Sequence, residues 1–195
     1  MTNKITDIIN ASIETKQRLL QDELLLTTIE KIVDVIVNAF RNSKRIYFCG
    51  NGGSAADAQH LAAEFSGRFY KDRKALAAEA LHCNTSYLTA VANDYSFDDI
   101  YSRLIDGIGS AGDVLVGLST SGNSANIIKA FEIAGKKEMV TIGFTGDHGG
   151  KLRPLCDHLI NIPSTDTPRI QESHIMVGHI ICQLVEEKYF TANSA

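Results

Sequence analysis

The stretch that decides the fold is residues 49–64, which read CGNGGSAADAQHLAAE. It follows the apolar run 45–48, whose sequence RIYF is typical of a buried strand. The three glycines permit positive φ angles and predict a tight turn that another molecule can approach closely. Ser54 is a candidate N-cap, and the alanine-rich run after it is a strong helix former. The segment therefore predicts a strand, a glycine turn and a helix N-terminus that offers free N–H groups to an anion or a polar ligand.

Polar side chains of the predicted helix fall on one face. His60 and Glu64 stand four positions apart, so both project toward the side on which Asp57 also lies. A ligand-cradling turn and a His/Glu pair are therefore predicted to come from one strand–turn–helix unit.

The amino-acid composition limits which classes of protein this chain can belong to. The 195 residues are 44% hydrophobic, which provides ample core for one domain. The net charge of −4 argues against a nucleic-acid partner, because nucleic-acid surfaces usually carry a basic patch. No apolar stretch is long enough to span a membrane, the N-terminus lacks the apolar core of a signal peptide, and the four cysteines are too scattered for a disulfide framework. We therefore expect a cytoplasmic protein that has no membrane partner.

Helical and strand patterns alternate along the chain. Further strands are predicted at 75–81, 113–118, 139–144 and 158–162, and helices at 84–91, 97–109, 124–137 and 166–190, with a polar break at Asn93-Asp94. This alternation predicts an α/β fold whose parallel sheet is covered on both faces. We expect a single domain over residues 1–195, with its α/β core at 43–195.

Residues 1–42 form a predicted helical extension, with a helical period from residue 2 and a break near Gln21-Asp22 that gives two helices. Because they precede the first strand, at least one is expected to lie outside the sheet, where its apolar face needs cover from another subunit. The pattern is equally compatible with helices that pack on their own sheet.

A second candidate site follows the predicted strand 113–118 and reads STSGNS at residues 119–124. The hydroxyls of Ser119, Thr120, Ser121 and Ser124, with nearby N–H groups, make a phosphate cradle without a lysine. Serine at a helix start is often only a cap, but four hydroxyls at the carboxyl end of a parallel strand favour ligand binding.

A nucleotide-dependent oxidoreductase is a weaker alternative. Residues 50–55 satisfy the pattern G-x-G-x-x-A, but that motif also needs an acidic residue about 20 positions further on, at the end of the second strand. Glu79 comes late for that role and lies inside the predicted strand.

The predicted last helix begins near Asp166 or Thr167, with Pro168 in its first turn. Apolar residues occupy most of its positions, which predicts burial nearly all round. For Gln171, His174 and His179, taken one at a time, a satisfied polar residue of the core is the simpler interpretation.

Taken together, these motifs resemble the SIS (sugar isomerase) family over nearly the whole chain. The motifs are CGNGGS at 49–54 with Asp57, His60, Glu64 and Arg68, then Asn93-Asp94, STSGNS at 119–124, and RIQE at 169–172 with His174 and His179. The resemblance implies a three-layer α/β/α sandwich with a parallel, flavodoxin-like sheet. It also implies a homotetramer with active sites at subunit interfaces.

The resemblance implies an isomerase that converts sedoheptulose 7-phosphate to D-glycero-D-manno-heptose 7-phosphate, the first step toward ADP-heptose and the lipopolysaccharide core. On the matching positions, Glu64 is the base and His179 its acid/base partner, a pair that suits proton transfer through an enediol. The cradle of Ser119, Thr120, Ser121 and Ser124 is expected to hold the phosphate. The residues expected to position the sugar are Asn51, Gly52, Gly53, Glu64, Asn93, Asp94 and Gln171.

The resemblance further implies one zinc ion per subunit, held by His60, Glu64, Gln171 and His179. Gln171 and His179 stand eight helical residues apart, which is about 12 Å of rise. Either both side chains bend toward one ion, or one comes from a neighbouring subunit. The roles of ligand and base also compete at Glu64, because a bound dication lowers the basicity of a carboxylate.

A non-catalytic relative of the same fold, which binds the bacterial replication initiator, is the alternative from another class. That relative keeps the glycine turn and the RIQE run but replaces the residues that match Glu64 and His179. Both residues are present here, which favours the enzyme.

Overall fold

The computed structural model describes residues 2–191, which form a parallel sheet covered by helices on both faces. The strands are β1 (Ile46–Gly50), β2 (Ala78–Ala80), β3 (Val114–Leu118), β4 (Val140–Thr145) and β5 (His158–Asn161). The helices are α1 (Thr2–Leu20), α2 (Glu23–Arg41), α3 (Gly53–Ser66), α4 (Thr85–Asp94), α5 (Ile100–Ile108), α6 (Ala125–Lys136) and α7 (Thr167–Thr191), with 3₁₀ turns at Phe97–Asp99 and Gly150–Leu155. The predicted α/β class is confirmed.

The sheet order is β2-β1-β3-β4-β5, and every neighbouring pair is parallel. This is the flavodoxin-like order, in which the chain turns back between β1 and β3. Ligands of such sheets bind at this switch point, outside the carboxyl ends of the strands. The glycine turn follows β1 and the hydroxyl-rich turn follows β3, so the topology brings the two predicted binding loops to one crevice.

Each central strand is apolar on both faces, as a doubly covered sheet requires. Phe48 and Val116 face a core that is closed by α2, α3 and α7. Tyr47 and Leu115, their neighbours in sequence, face a second core against α4, α5 and α6. Two apolar layers therefore fix the helices that carry the candidate site residues.

The two N-terminal helices have different surroundings. A break at the predicted place separates them, where the Asp22 side chain accepts a hydrogen bond from Leu25 N and caps α2. The apolar face of α2 is buried against the sheet, whereas α1 buries only Thr15 and Leu19. The exposed isoleucines of α1 are Ile5, Ile8, Ile9 and Ile13, each 46–55% exposed. Helix α2 therefore packs on its own sheet, whereas the apolar face of α1 is uncovered in this chain.

Three local predictions are wrong. The N-cap of α3 is Gly52, not Ser54, because Gly52 takes a positive φ of 54° and lets the helix begin at once, with Ser54 buried in its first turn. Asn93-Asp94 is the last turn of α4 rather than a break. The last helix is not buried all round in this chain, since Ile180 is 38% exposed.

Two predictions about the class of protein can be compared with the structure. Cys49, Cys83, Cys156 and Cys182 are all free thiols, as their spacing suggested. Among residues 2–191, none of the helices has both the length and the apolar character that crossing a membrane requires.

His174 is a buried polar residue of α7, as expected, but only one of its ring nitrogens is satisfied, since Nδ1 has no hydrogen-bond partner among the described residues. It is fully buried, its Nε2 donates to the Thr145 carbonyl at 3.1 Å, and its ring lies edge-on to Phe144. Burial lowers the pKa of His174 to about 4, while the hydrogen bond to Thr145 acts in the opposite direction. The folded protein therefore holds this imidazole neutral.

We expect the stability of the protein to fall between pH 7 and pH 5. The unfolded chain protonates His174 near pH 6.5 and the folded chain only near pH 4, so its contribution is complete above pH 6.5 and is lost as the pH falls toward 4. This histidine alone should lower the free energy of unfolding by about 2 kcal/mol between pH 7 and pH 5.

Urea unfolding at several pH values measures this effect. His174→Gln should flatten the pH dependence, whereas His148→Gln, at a side chain that is 84% exposed, should leave it unchanged. If His174→Gln leaves the pH dependence of the free energy of unfolding unchanged, His174 is not the residue responsible for it.

Candidate functional site

The glycine turn after β1 is held by a pair of amide side chains. Asn51 and Asn126 each donate from Nδ2 to the Oδ1 of the other at 2.9 Å. Asn126 is 2% exposed and lies in the first turn of α6. The Tyr101 hydroxyl also holds the turn, since it donates to the Gly50 carbonyl at 2.5 Å. The loops after β1 and β3 are therefore fixed to each other across the switch point.

The predicted cradle, residues 119–124, is a compact turn at the end of β3. The hydroxyls of Ser119 and Ser124 are hydrogen-bonded at 2.9 Å. Gly122 has a φ of +65°, and a Cβ there would meet the Gly149 carbonyl oxygen at 2.1 Å, so only glycine fits. Helix α6 begins at Ala125, directly after the turn, and directs the positive end of its dipole toward the cradle. These hydroxyls and the helix N-terminus suit a phosphate.

An open cleft of about 280 Å³ adjoins the cradle. Its lining is rich in hydroxyl groups and consists of Thr120, Ser121, Gly146, Asp147, His148, Gly149, Ser164, Thr165, Thr167 and Ile170. The loop after β4 and the start of α7 thus complete one wall, and the space next to the cradle is polar.

His60, Glu64 and His179 form an acid/base cluster on adjoining helices. The Nε2 atoms of His60 and His179 lie 2.9 Å apart, and His60 Nε2 lies 3.2 Å from Glu64 Oε1. The His60 side chain is 50% exposed and that of Glu64 is 21% exposed, so the cluster is open to an incoming molecule. The structure therefore brings the predicted base and its partner into one region, although they stand 115 positions apart in the sequence.

Two further side chains shape this cluster. Asp57 has a buried Oδ2 without a hydrogen-bond partner among the described residues. Burial raises the pKa of Asp57, and the nearby His60 and His179 act in the opposite direction. The Phe69 ring lies 5.6 Å from the His179 ring and covers one side of it. The imidazoles thus lie between a partly desolvated carboxyl and an aromatic wall.

The donor atoms of the cluster can be compared with the requirements of zinc, the metal that the sequence resemblance implies. Two imidazole nitrogens and a carboxylate oxygen, all within 4.8 Å of one another, are donor types that zinc prefers. Tetrahedral zinc separates two imidazole nitrogens by about 3.3 Å, which is close to the 2.9 Å between His60 and His179. These three residues therefore fit the ion.

Gln171, the fourth predicted ligand, lies elsewhere in this chain. Its Nε2 is 2.6 Å from where a Cβ of Gly53 would be, so its amide rests on the first turn of α3. His179 lies about 12 Å further along α7. Three of the four predicted ligands are together, and Gln171 instead adjoins the glycine turn.

The remaining predicted sugar-binding residues, Asn93 and Asp94, lie at the exposed end of α4, where Asn93 Nδ2 donates to Asp94 Oδ1 at 2.9 Å. Among residues 2–191, no described hydrogen bond joins them to the cradle or to the acid/base cluster.

The cradle and the acid/base cluster lie at different levels of the molecule. Helix α3 starts at the carboxyl edge of the sheet, where the cradle is, and runs back along β1. Eleven residues separate Gly53 from Glu64, which is about 16 Å of helical rise. Within one chain, Glu64 therefore lies about three turns of helix beyond the glycine turn.

Sequence reasoning missed the residues that support the site. Asn126 had a usable signal, since an amide two positions after Ser124, in an otherwise apolar helical run, needs a partner. Tyr101 and Phe69 had none, because an aromatic residue at a helical or loop position is usually only core.

Comparison with known proteins places the chain in a family. The family model for the SIS domain matches residues 9–146. A phosphoheptose isomerase from Clostridium acetobutylicum is 50% identical over 190 residues, which cover 97% of this chain and 97% of that protein. The structure of phosphoheptose isomerase GmhA from Neisseria gonorrhoeae matches with a TM-score of 0.90 and 41% identity, covering 95% of this chain and 98% of that one. That of a phosphoheptose isomerase from Francisella tularensis matches with a TM-score of 0.91 and 31% identity, over 95% and 98% of the two chains. Since the family model spans more than half of its length, this chain belongs to the SIS domain family.

Proposed function

We propose that this protein is a phosphoheptose isomerase, which converts sedoheptulose 7-phosphate to D-glycero-D-manno-heptose 7-phosphate in the cytoplasm. The reaction is the first step toward ADP-heptose and the lipopolysaccharide core. The observation that carries the proposal is the convergence of Glu64 and His179, from two helices, on one open region beside His60. Relatives that are half identical over nearly the whole chain and bear this enzyme's name support it.

The chemistry needs one base and one acid. The Glu64 carboxylate removes a proton from C1 of the ketose while the C2 oxygen gains a proton, which gives the enediol. Glu64 then returns its proton to C2 as the C1 hydroxyl loses one, and the aldehyde forms. His179 serves the two oxygens, since an imidazole can donate and accept near neutral pH. Triosephosphate isomerase, a known example on another fold, divides the labour between Glu and His in the same way.

The phosphate is assigned to the cradle of Ser119, Thr120, Ser121 and Ser124, where hydroxyls and the α6 N-terminus supply donors without a positive side chain. Asn51, Gly52, Gly53 and Gln171 at the glycine turn, with Asn93 and Asp94, are assigned to the sugar hydroxyls. The cleft that adjoins the cradle has room for a polar ligand.

The non-catalytic alternative, a relative that binds the replication initiator, is less well supported. A binding module has no need of a carboxylate that lies 3.2 Å from an imidazole and is open to solvent. The nucleotide-dependent alternative, which rests on the dinucleotide motif G-x-G-x-x-A, loses support because the strand order is not the classic dinucleotide-binding order and because Glu79 lies in the middle of β2.

The purified protein should convert sedoheptulose 7-phosphate to an aldose, detected by NMR of the product. Glu64→Gln removes the base and should lower kcat by roughly 10²–10⁴-fold with the fold intact. Glu132→Gln, at an exposed position of α6, is the matched control and should retain full activity. Near-normal turnover by Glu64→Gln would exclude Glu64 as the base, and an inactive wild type would reject the enzyme.

We further propose one zinc ion per subunit, held by His60, Glu64 and His179, with Gln171 of a neighbouring subunit as the fourth ligand. Because the roles of ligand and base compete, Glu64 and His179 would move protons only while the atoms that do so are released from the ion. When bound, the ion supplies a Lewis acid that polarises sugar oxygens. Dialysed protein should take up one zinc per subunit, measured by elemental analysis. His60→Ala should weaken that affinity by more than about 100-fold, since even partners behind a ligand cost 10–100-fold. His148→Ala is the control, and zinc affinity equal in the two variants would contradict the assignment.

We also propose a homotetramer, in which the 1–42 helices assemble the 43–195 cores and each active site is shared between subunits. The exposed isoleucines of α1 and the 16 Å between Gly53 and Glu64 along α3 support this arrangement. Light scattering should give a mass of four chains. Co-expressed Glu64→Gln and Ser119→Ala/Ser124→Ala chains, each inactive alone, should regain up to about a quarter of the activity in mixed oligomers. An active monomer, or no recovery in mixed oligomers, would refute shared sites.

A further inference from the structure

A buried ion pair lies outside the cradle and the acid/base cluster. Arg73, in the segment 67–74 that follows α3, donates from Nε to Glu186 Oε2 at 2.9 Å, and Glu186 lies on α7. The two side chains are only 4% and 2% exposed. Burying two charges is costly unless their remaining hydrogen-bonding groups are satisfied. The partners of these groups therefore indicate what the pair does.

Glu186 binds the backbone of the segment 67–74. Its carboxylate accepts from the N–H groups of Phe69 at 3.2 Å, Tyr70 at 2.9 Å and Lys71 at 2.7 Å. Successive N–H groups of this kind form a concave anion site. Burial by itself raises the pKa of Glu186, but these donors together with Arg73 outweigh it and lower the pKa. The segment is thus wrapped around an ionised carboxylate.

Arg73 binds the end of α3. Its Nη2 donates to the Glu64 carbonyl at 2.7 Å, and its Nη1 donates to the Phe65 carbonyl at 2.7 Å and the Gly67 carbonyl at 3.0 Å. The last carbonyls of a helix lack partners within the helix and carry the negative end of its dipole. The guanidinium therefore holds the turn on which Glu64 lies.

The Arg73–Glu186 pair is also linked to His179. Glu186 follows His179 by seven residues, about two turns of α7, so both lie on the face that meets α3. Phe69, whose N–H binds Glu186, packs its ring against the His179 ring. One ion pair thus joins the main chain of Glu64 to the helix and the aromatic wall of His179.

We propose that Arg73 and Glu186 are a positioning pair, which sets the Glu64 carboxylate and the His179 imidazole relative to each other. Neither residue touches the reacting atoms. The kinetic consequence rests on the proposed isomerase function, whereas the geometric consequence does not depend on it.

Glu186→Gln tests the proposal, because the amide keeps the size of the side chain but loses its charge and part of its acceptors. We expect kcat for sedoheptulose 7-phosphate to fall by about 10–100-fold, as is usual when a supporting partner is lost. KM should change by less than about 3-fold, because the cradle on β3 is untouched. Asp34→Asn is the matched control, since it removes an exposed ion pair with Lys188 on the same helix α7. Asp34→Asn should change neither kcat nor KM.

A crystal structure of Glu186→Gln provides a readout that is independent of activity. The 2.9 Å contact between His60 Nε2 and His179 Nε2, which joins α3 to α7, should be lost. A lower Tm with kcat and this contact unchanged would overturn the proposal, because the pair would then be only structural. If the wild type does not isomerise the sugar, the proposed function fails and the contact alone decides. Should Glu186→Gln not fold, Arg73→Lys, which keeps the charge but loses the planar fork, should show the same changes to a smaller extent.

Discussion

Close packing of α3 against α7 is the constraint on which the rest of the site depends. The two helices run in the same direction and touch where one of them lacks a side chain. A Cβ at Gly178 would lie 2.6 Å from the methyl groups of Leu61, and a Cβ at Gly53 would lie 2.6 Å from the Gln171 amide. Alanine at either point would require the end of the Leu61 or Gln171 side chain to shift, and glycine allows the close approach without that rearrangement. That approach fixes the register in which His60 meets His179 and Glu64 lies beside them.

The two halves of the candidate site have different physical origins. The cradle is a property of topology, since a chain that turns back between β1 and β3 leaves a crevice there, and the Asn51–Asn126 amide pair holds its loops together. The acid/base cluster is a property of helix packing, and it depends on the α3–α7 register and on the segment that follows α3. A substitution can therefore alter the acid/base cluster and leave the cradle intact, or the reverse.

Much of this architecture was predictable from the sequence. Apolar runs that alternate with helical periods gave the parallel sheet, because a strand buried on both faces leaves a clear pattern in β1 and β3. The glycine turn and the hydroxyl-rich turn were placed correctly, since turn chemistry is local. The N-cap at Gly52 was missed because serine is ordinarily the stronger cap, and here a positive φ decided the matter.

What sequence reasoning could not give is the set of contacts made between distant segments. Nothing in the local pattern pairs Asn51 with Asn126, or Arg73 with Glu186. The pattern around Asn126 indicates only that it needs some partner, and the other three residues are typical of solvated positions. Only the fold shows that these polar groups are buried and satisfy one another. Gln171 is a related case. Helical rise predicted that it lies about 12 Å from His179, but only the fold shows that its amide rests against Gly53.

The exposure of the cluster links assembly to chemistry. An enediol must be shielded from water to avoid side reactions, yet His60 is 50% exposed and Ile180, next to His179, is 38% exposed in this chain. An exposed apolar residue beside the His179 imidazole is unfavourable in water and favourable in an interface. Under the proposed assembly, the surface that buries Ile180 also closes over Glu64 and His179 and brings them to a neighbour's cradle. Association would then complete the site as well as stabilise the fold, which gives a physical reason for an exposed Ile180 beside His179.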